Sequence, residues 1–357
     1  MTNVDLSFAT KAPFRLDEAG LAWVTDTFEG LSTTQRAGQL FVMAAMIPDP
    51  AALQATFAVA EPAGFMFRPM PSQAVSAFGG AIKSMCQVPP LLAGNLDLGP
   101  NGAGSDCTVF ASEMAIGATG KPEHARRAGL VAGREASALG VNWQFGPVCD
   151  LAVNDYNPIV GPRSFGSDPD RVAPLVRAYI EAIQSTGVAA SAKHWPGDGV
   201  DDRDQHLTTT YNSLSVADWD ATYGKVWAEA IDAGVLTVMA AHIALPAYSA
   251  LLAGKAYHEA LPASLAYEIT TTLLRERLGF NGLVVTDASM MAGMQMAMPR
   301  PQLVPSAVAA GCDIVLFSAD YAADLGYLLD GLASGLLTQE RFDEAVLRVL
   351  ALKAALG

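Results

Sequence analysis

The sequence predicts a single α/β domain folded as an eight-stranded (β/α)8 barrel. Two observations support this prediction: short apolar runs of strand character recur along the chain, and helical patterns lie between them. Most runs are continuously apolar, as strands buried on both faces of a parallel sheet must be. Strand and helix alternate about eight times, an order that closes most naturally into a barrel. The runs are residues 39–46, 63–70, 90–97, 141–151, 188–194, 235–243, 282–287 and 313–318.

The helical segments have recognisable starts and stops. Asp168-Pro169 supplies an N-cap and a proline at the first helical position, and Gly187 ends the helix that follows. The segment at residues 16–30 has an amphipathic pattern and is expected to lie over one end of the barrel. We therefore predict a helical extension at residues 1–30 and the barrel itself at 31–357. Further helices are predicted over 215–234, 264–277 and 341–353.

An open, doubly wound sheet is the main alternative fold. It would normally carry a glycine-rich phosphate-binding turn after its first strand. Here residues 39–46 lead into Ile47-Pro48-Asp49-Pro50, which has no such turn. No low-complexity linker and no change of composition divides the chain, so one domain is the simplest interpretation.

Charge and composition narrow the class of ligand. The 357 residues include 36 acidic and 22 basic side chains, a formal net charge of −14, which disfavours nucleic acid and anionic membranes as partners. The N-terminus lacks the pattern of a secretory signal, and no apolar run reaches the ~18 residues of a membrane span. We therefore expect a cytoplasmic protein, and we expect it to use no cofactor. No sequence pattern indicates its oligomeric state. The cysteines are expected to be buried free thiols: Cys86, Cys107, Cys149 and Cys312.

Polar side chains stand where the predicted strands end, which is where barrels place their active sites. Asp287 follows the run Leu283–Thr286, so its carboxylate is expected at the mouth of the barrel. Such a carboxylate can be a nucleophile toward an electrophilic carbon, or the N-cap of the next helix, and the local sequence alone favours capping. Other strand-end residues are Asp97, Asp150, Arg163, Lys193, His194 and His242.

The loop after the fifth strand carries the densest group of ionisable residues. Asp204 and His206 are two residues apart, so in an extended loop they share a side, and the carboxylate can orient the imidazole as a proton shuttle. A solvated polar loop is the alternative. A metal site is less favoured, because the aspartates here match neither an EF-hand loop nor an HxxxH pair, and no metal is expected.

Together these residues resemble glycoside hydrolase family 3, and within it the single-domain β-N-acetylglucosaminidases of the NagZ type. The family's KH(F/W)PG(D/H)G stretch and D-x-H dyad are similar to residues 193–199 and 204–206 here. The motifs run in the family's order from about residue 31 to the C-terminus. Further matches are residues 163–169 (RSFGSDP), 238–243 (VMAAHI), 285–290 (VTDASM) and 310–317 (AGCDIVLF).

The resemblance implies a role for each matching residue. Asp287 would be the nucleophile, His206 the general acid/base and Asp204 its partner. Asp97 would bind a hydroxyl at the far end of the sugar ring. The remaining residues expected to bind substrate, a small glycan or amino-sugar glycoside, are Arg163, Lys193, His194, Met239 and His242.

The implied reaction is a two-step release of terminal β-linked N-acetylglucosamine with retention, in the setting of cell-wall or chitin-fragment recycling. Asp287 attacks the anomeric carbon while imidazolium His206 protonates the leaving oxygen, and neutral His206 then activates the acceptor. A neutral imidazole does not repel an anionic acceptor such as phosphate, so phosphorolysis stays an alternative.

One departure from the family pattern leaves the substrate open. Many members read DQEGGRV after the third strand, whereas residues 96–104 here read LDLGPNGAG, which keeps the aspartate but lacks the glutamate and arginine. A muropeptide substrate is therefore not assured. The sequence is also compatible with a β-glucosidase or β-xylosidase, with a non-catalytic sugar-binding barrel and with a metal-dependent barrel hydrolase.

Overall fold

The structure, a computed structural model, describes residues 5–357. Eight parallel strands close into a barrel in chain order, and the last pairs with the first, so the predicted (β/α)8 barrel is confirmed. Each predicted strand run overlaps one barrel strand, and two of these strands, β5 and β9, extend one residue beyond the run. The strands are β1 (Phe41–Ala45), β2 (Gly64–Phe67), β3 (Leu91–Gly94), β4 (Trp143–Gln144), β5 (Ala189–Trp195), β7 (Thr237–Ala240), β9 (Leu283–Ala288) and β10 (Ile314–Leu316).

Two short strands stand outside the barrel. β6 (Thr210–Tyr211) and β8 (Ile243–Ala244) pair in parallel with each other. β6 lies in the long connection after β5, and β8 follows β7 by two residues. Their pairing therefore joins the connection after β5 to the carboxyl end of β7.

The five predicted helical segments are helical in the structure. Asp168 accepts a hydrogen bond from Asp170 N at 2.9 Å, with Pro169 at the first position, as the sequence indicates. The segment predicted over 264–277 is mainly a π-helix, Glu268–Arg277, and a second π-helical segment covers Asp220–Gly224. The α-helices are α1 (Glu18–Gly30), α2 (Thr33–Gly38), α3 (Pro50–Val59), α4 (Ser72–Met85), α5 (Glu113–Ala118), α6 (Pro122–Leu139), α7 (Pro169–Gln184), α8 (Val216–Trp219), α9 (Lys225–Asp232), α10 (Pro246–Ala253), α11 (Ala292–Gln295), α12 (Arg300–Ala309), α13 (Tyr321–Ser334) and α14 (Gln339–Leu356).

The N-terminal segment packs on the barrel. Helix α1 buries Val24 and Phe28 and lies against α14. Asn281, which precedes β9, donates from Nδ2 to the carbonyls of Phe8 and Ala12 at 2.8 and 2.9 Å. Residues 1–4 of the predicted extension lie outside the described part of the chain, and the domain boundary at residue 30 stays a prediction.

Buried tryptophans fix the turn after β5. The indole nitrogens of Trp219 and Trp227 both donate to Pro196 O, at 3.1 and 3.2 Å, and both rings pack edge-on against Trp195. Gly197 has a φ of 125°, and a Cβ there would lie 2.1 Å from a buried tyrosine ring, so glycine is required. This packing determines where the loop after β5 begins.

All four cysteines are free thiols, but only two are fully buried. Cys149 and Cys312 are buried, whereas Cys86 and Cys107 are half-buried. The predicted burial is therefore correct for two of the four cysteines. Within residues 5–357, no helix has both the length and the apolar character needed to cross a membrane.

Candidate active site

A cavity at the carboxyl ends of the barrel strands brings most of the predicted site residues together. It holds about 570 Å³ of empty space, including its open mouth. Larger clefts lie elsewhere, one of them near the amino ends of β9 and β10, but they contain none of the predicted residues. The cavity is lined by Met66, Arg68, Asn95, Phe145, Arg163, Lys193, His194, His206, Met239, Asp287, Ala288, Met291, Leu316 and Phe317.

Asp287 lies at the end of β9 and lines this cavity. Its Oδ1 accepts a hydrogen bond from Ala288 N at 2.7 Å. The next helix begins at Ala292 and its N-cap is Met291, so Asp287 does not cap it, and the capping interpretation is wrong. Burial alone would raise the pKa of this carboxyl, but nearby His194 and His242 and the Ala288 amide hold the pKa below its usual value. Asp287 is therefore an anion at neutral pH.

Asp204 and His206 form a hydrogen-bonded pair beside the cavity. Asp204 Oδ1 lies 2.6 Å from His206 Nδ1 and also accepts from the His206 backbone N at 2.8 Å. The imidazole is about half exposed and lines the cavity, while Asp204 is more covered. No hydrogen bond within residues 5–357 uses Nε2 of this ring, so that nitrogen is available to a bound molecule.

Asp97 lies behind two cationic residues of the cavity wall and does not line the cavity itself. Its carboxylate pairs with Arg163 at 3.3 Å and with Lys193 Nζ at 3.0 Å. Lys193 also donates to Asn95 Oδ1 and to Phe145 O, both at 2.6 Å. Burial would raise the pKa of Asp97, but the two cations hold it below its usual value. Asp97 therefore fixes both cations in place.

His194 is oriented by a buried carboxylate. Its Nδ1 lies 2.7 Å from Asp150 Oδ2, while Asp150 Oδ1 accepts from the backbone nitrogens of His194 and Asp198 at 3.1 and 2.8 Å. Burial would raise the pKa of Asp150, but the imidazole and these hydrogen bonds hold it below its usual value. Because an ionised carboxylate only accepts hydrogen bonds, Nδ1 carries a proton and Nε2 faces the other way.

Met239 lines the cavity, but His242 does not. The His242 side chain is fully buried; its Nε2 lies 3.0 Å from Ala288 O and its Nδ1 2.9 Å from Ser264 Oγ. A carbonyl oxygen can only accept, so Nε2 carries the proton and Ser264 donates to Nδ1. With both ring nitrogens occupied, His242 supports the carbonyl of Ala288, the residue after Asp287, which departs from the substrate contact predicted for it.

Sequence reasoning missed several residues of the cavity. Arg68 directly follows β2, Asn95 follows β3 and Phe317 follows β10, so strand-end position was a signal that could have found them. A further buried acid, Glu113, begins α5; burial and the charge of Asp97 hold its pKa well above the usual value. No sequence pattern indicates its place near Asp97.

The acidic side chains of the loop after β5 are paired with other side chains. Within residues 5–357, no three His, Cys, Asp or Glu side chains converge as metal ligands would. Asp201 binds Arg203, Asp204 binds His206, and Asp198 accepts from Asn157 and Gln205. The carboxylates of Asp198, Asp201 and Asp204 are therefore each paired with a side chain of the protein.

The comparison with known families identifies the class of protein. The model described as "Glycosyl hydrolase family 3 N terminal domain" matches residues 72–352, and the chain belongs to this family, as the motifs predicted.

Similar proteins extend this result. A "Beta-N-acetylglucosaminidase/beta-glucosidase" of Cellulomonas fimi is 48% identical over 349 residues, covering 98% of this chain and 62% of that protein. Among solved structures, the beta-glucoside phosphorylase BglX bound to 2FGlc is similar at a TM-score of 0.95 and 36% identity, covering 98% of this chain and 63% of that one. A family 3 beta-N-acetylglucosaminidase of Paenibacillus sp. str. FPU-7 has a TM-score of 0.85 and 30% identity, with 92% of this chain and 63% of that chain covered. This chain spans 44% to 62% of the first curated relatives it matches.

Proposed function

We propose that this chain is a retaining, exo-acting β-N-acetylglucosaminidase that releases terminal β-linked N-acetylglucosamine from small glycans. The observation that carries the proposal is that one cavity is lined by an anionic Asp287 and by His206, whose ring is oriented by Asp204. The names of the relatives from Cellulomonas fimi and Paenibacillus support an amino-sugar substrate.

In the first step of the proposed mechanism, Asp287 attacks the anomeric carbon and the bond to the leaving oxygen breaks. Imidazolium His206 gives its Nε2 proton to that oxygen, and a covalent glycosyl-Asp287 intermediate forms. In the second step, neutral His206 takes a proton from the acceptor water as it attacks the same carbon, which returns Asp287 to the carboxylate. Asp204 supports both steps, because its negative charge stabilises the imidazolium without itself binding the sugar.

The cationic wall would position the sugar. Arg163 and Lys193 are buried or half-buried and are held by Asp97, so they can donate to hydroxyls with little loss of side-chain entropy. His194, oriented by Asp150, offers a third group at the same wall. Asp97 acts through Arg163 and Lys193 in this arrangement.

Phosphorolysis is a second candidate, favoured by one observation. Arg68 lines the cavity, and its guanidinium has neither a hydrogen bond nor a carboxylate partner within residues 5–357. A free guanidinium is suited to a phosphate acceptor, whose oxygen would attack the anomeric carbon as the bond to Asp287 breaks, giving a sugar 1-phosphate. The name of the similar beta-glucoside phosphorylase, which is 36% identical to this chain, supports this candidate.

One assay tests the proposal and separates the candidates. Release of p-nitrophenol from the β-N-acetylglucosaminide and from the β-glucoside is measured with and without inorganic phosphate. We expect faster turnover of the acetamido sugar, and free N-acetylglucosamine as the product. A sugar 1-phosphate as the main product would favour phosphorolysis, and faster turnover of the glucoside would reject the substrate assignment. Asp287→Ala, which should stay folded, is the control that must lose nearly all turnover.

A further inference from the structure

Gln205, between Asp204 and His206, is buried although its two neighbours face solvent in part. The side chain is 1% exposed, in a loop where residues 202, 203, 206 and 207 are exposed. Its Nε2 donates to Asp198 Oδ2 at 3.3 Å, and its Oε1 accepts from the His242 backbone N at 3.0 Å. The amide therefore connects the dyad to the turn after β5 and to the end of β7.

The backbone of the same residues is joined to a third strand end. Gly293 N donates to Gln205 O and Ala292 N donates to His206 O, both at 3.1 Å. Thr209 Oγ1 donates to Gly293 O at 2.8 Å. A Cβ at Gly293 would lie 2.4 Å from Gln205 O, so a glycine is needed for this approach. The segment that supplies these contacts follows Asp287 after only four residues.

We propose that Gln205 is a positioning residue that holds the His206 imidazole within reach of the glycosidic oxygen, whose bond to the sugar breaks as Asp287 attacks. This inference rests on the proposed function, because it takes His206 as the acid and Asp287 as the nucleophile. The side-chain amide and the backbone together fasten one loop to the ends of β5 and β7 and to the segment after β9. Proton transfer needs heavy atoms within hydrogen-bond reach, so a loop fastened at both sides of the dyad favours the reactive geometry.

The consequence depends on the leaving group. A loop freed at residue 205 would present the imidazole less often, which slows both steps in which His206 transfers a proton. Of these, kcat/KM reports the first, in which His206 is the acid. A poor leaving group needs that proton to depart from the sugar. A very acidic phenol departs as the phenolate without it. The sugar-binding wall formed by Arg163, Lys193 and His194 is held by other residues, so binding of N-acetylglucosamine itself should not change.

The experiment compares Gln205→Ala with the wild type on two substrates. The value of kcat/KM, which reports the first step, is measured for N,N′-diacetylchitobiose and for the 2,4-dinitrophenyl β-N-acetylglucosaminide. We expect a loss of about 10- to 100-fold on the disaccharide, about threefold or less on the dinitrophenyl substrate, and an unchanged inhibition constant for N-acetylglucosamine. Equal losses on both substrates, or no loss on either, would overturn the proposal.

A matched control is available in Gln184→Ala. The side-chain amide of Gln184 also forms hydrogen bonds through both its oxygen and its nitrogen, accepting from Leu236 N at 2.9 Å and donating to Gly234 O at 2.9 Å. These contacts lie at the amino end of β7, away from the cavity. This variant should show similar losses, if any, on both substrates. If Gln205→Ala does not fold, Gln205→Asn, one methylene shorter, replaces it and should show the same dependence on leaving group.

Hydrogen exchange gives a readout that does not depend on the reaction. Amides of residues 199–209 should exchange faster in Gln205→Ala than in the wild type or in Gln184→Ala. Unchanged protection of this segment would overturn the proposal. If the wild type turned over neither substrate, the proposed function would fail, while the exchange comparison would still decide whether Gln205 holds the loop.

Discussion

Asp150→Asn should move the proton of the His194 ring while keeping the backbone contacts of residue 150. Asp150 Oδ1 accepts from two backbone nitrogens, and an asparagine oxygen can keep both hydrogen bonds. The other oxygen, Oδ2, lies 2.7 Å from His194 Nδ1 and would become an NH2 group. Since that group only donates, Nδ1 must then accept, and the proton of a neutral ring moves to Nε2.

The expected cost follows from this one exchanged contact. A hydrogen bond to a charged group contributes about 1.5–3 kcal/mol, and about 1.4 kcal/mol corresponds to a factor of ten. If His194 binds substrate as proposed, kcat/KM should fall by about 10- to 100-fold. The free energy of unfolding should change far less than in Asp150→Ala, which also loses the two backbone contacts.

The assay is kcat/KM for the p-nitrophenyl β-N-acetylglucosaminide, with urea unfolding of wild type, Asp150→Asn and Asp150→Ala. A kcat/KM of Asp150→Asn within twofold of the wild-type value would show that the position of the proton on the His194 ring has no part in the reaction.

Three further predictions concern the acid/base group, the loop and the acceptor. His206→Ala should lose at least about 100-fold in kcat/KM on the chitobiose substrate and much less on the dinitrophenyl substrate; a similar loss on both would contradict its role as acid. Burial and the charge of Asp150 raise the pKa of Asp198 to about 6. Between about pH 4 and 6 the folded state thus keeps a proton that the unfolded state has lost, so this group makes wild-type stability fall as pH rises, by about 3 kcal/mol in all. Urea unfolding of Asp198→Asn at pH 4 and 7 should show that this contribution has gone, and an identical pH dependence in the two proteins would speak against it. Arg68→Met should raise the KM for phosphate at least about tenfold if phosphorolysis occurs, with hydrolysis changed less than threefold; equal effects on both reactions would assign Arg68 to the sugar instead.

The barrel could be predicted because its pattern is local. Strands buried on both faces must be apolar along their whole length, and each of the eight runs indeed overlaps a barrel strand. Strand-end position also placed Asp287, Lys193 and His194 at one cavity. The order of the residues along the chain was sufficient for this, because the carboxyl ends of parallel strands meet at one face.

Contacts across loops could not be predicted in the same way. The sequence places Asp97 at a strand end, but not behind Arg163 and Lys193. His242 also follows a strand, yet its ring turns into the protein and meets Ser264. In the sequence, Gln205 does not differ from the other polar residues of its loop. Its burial is explained by packing against the segments that follow β5, β7 and β9. Such details depend on distances between segments far apart in sequence.

The proposed mechanism requires that Asp287 form a covalent bond with the anomeric carbon of the sugar. An activated 5-fluoro β-N-acetylglucosaminyl fluoride should trap this bond, because the fluorine at C5 slows both steps while the fluoride leaving group favours the first. Intact-protein mass spectrometry should show one added sugar, and the modified peptide should carry it on Asp287. A label on another carboxylate would rule out Asp287 as the nucleophile. Rapid turnover without any labelled protein, in a wild type that hydrolyses the p-nitrophenyl substrate, would do the same.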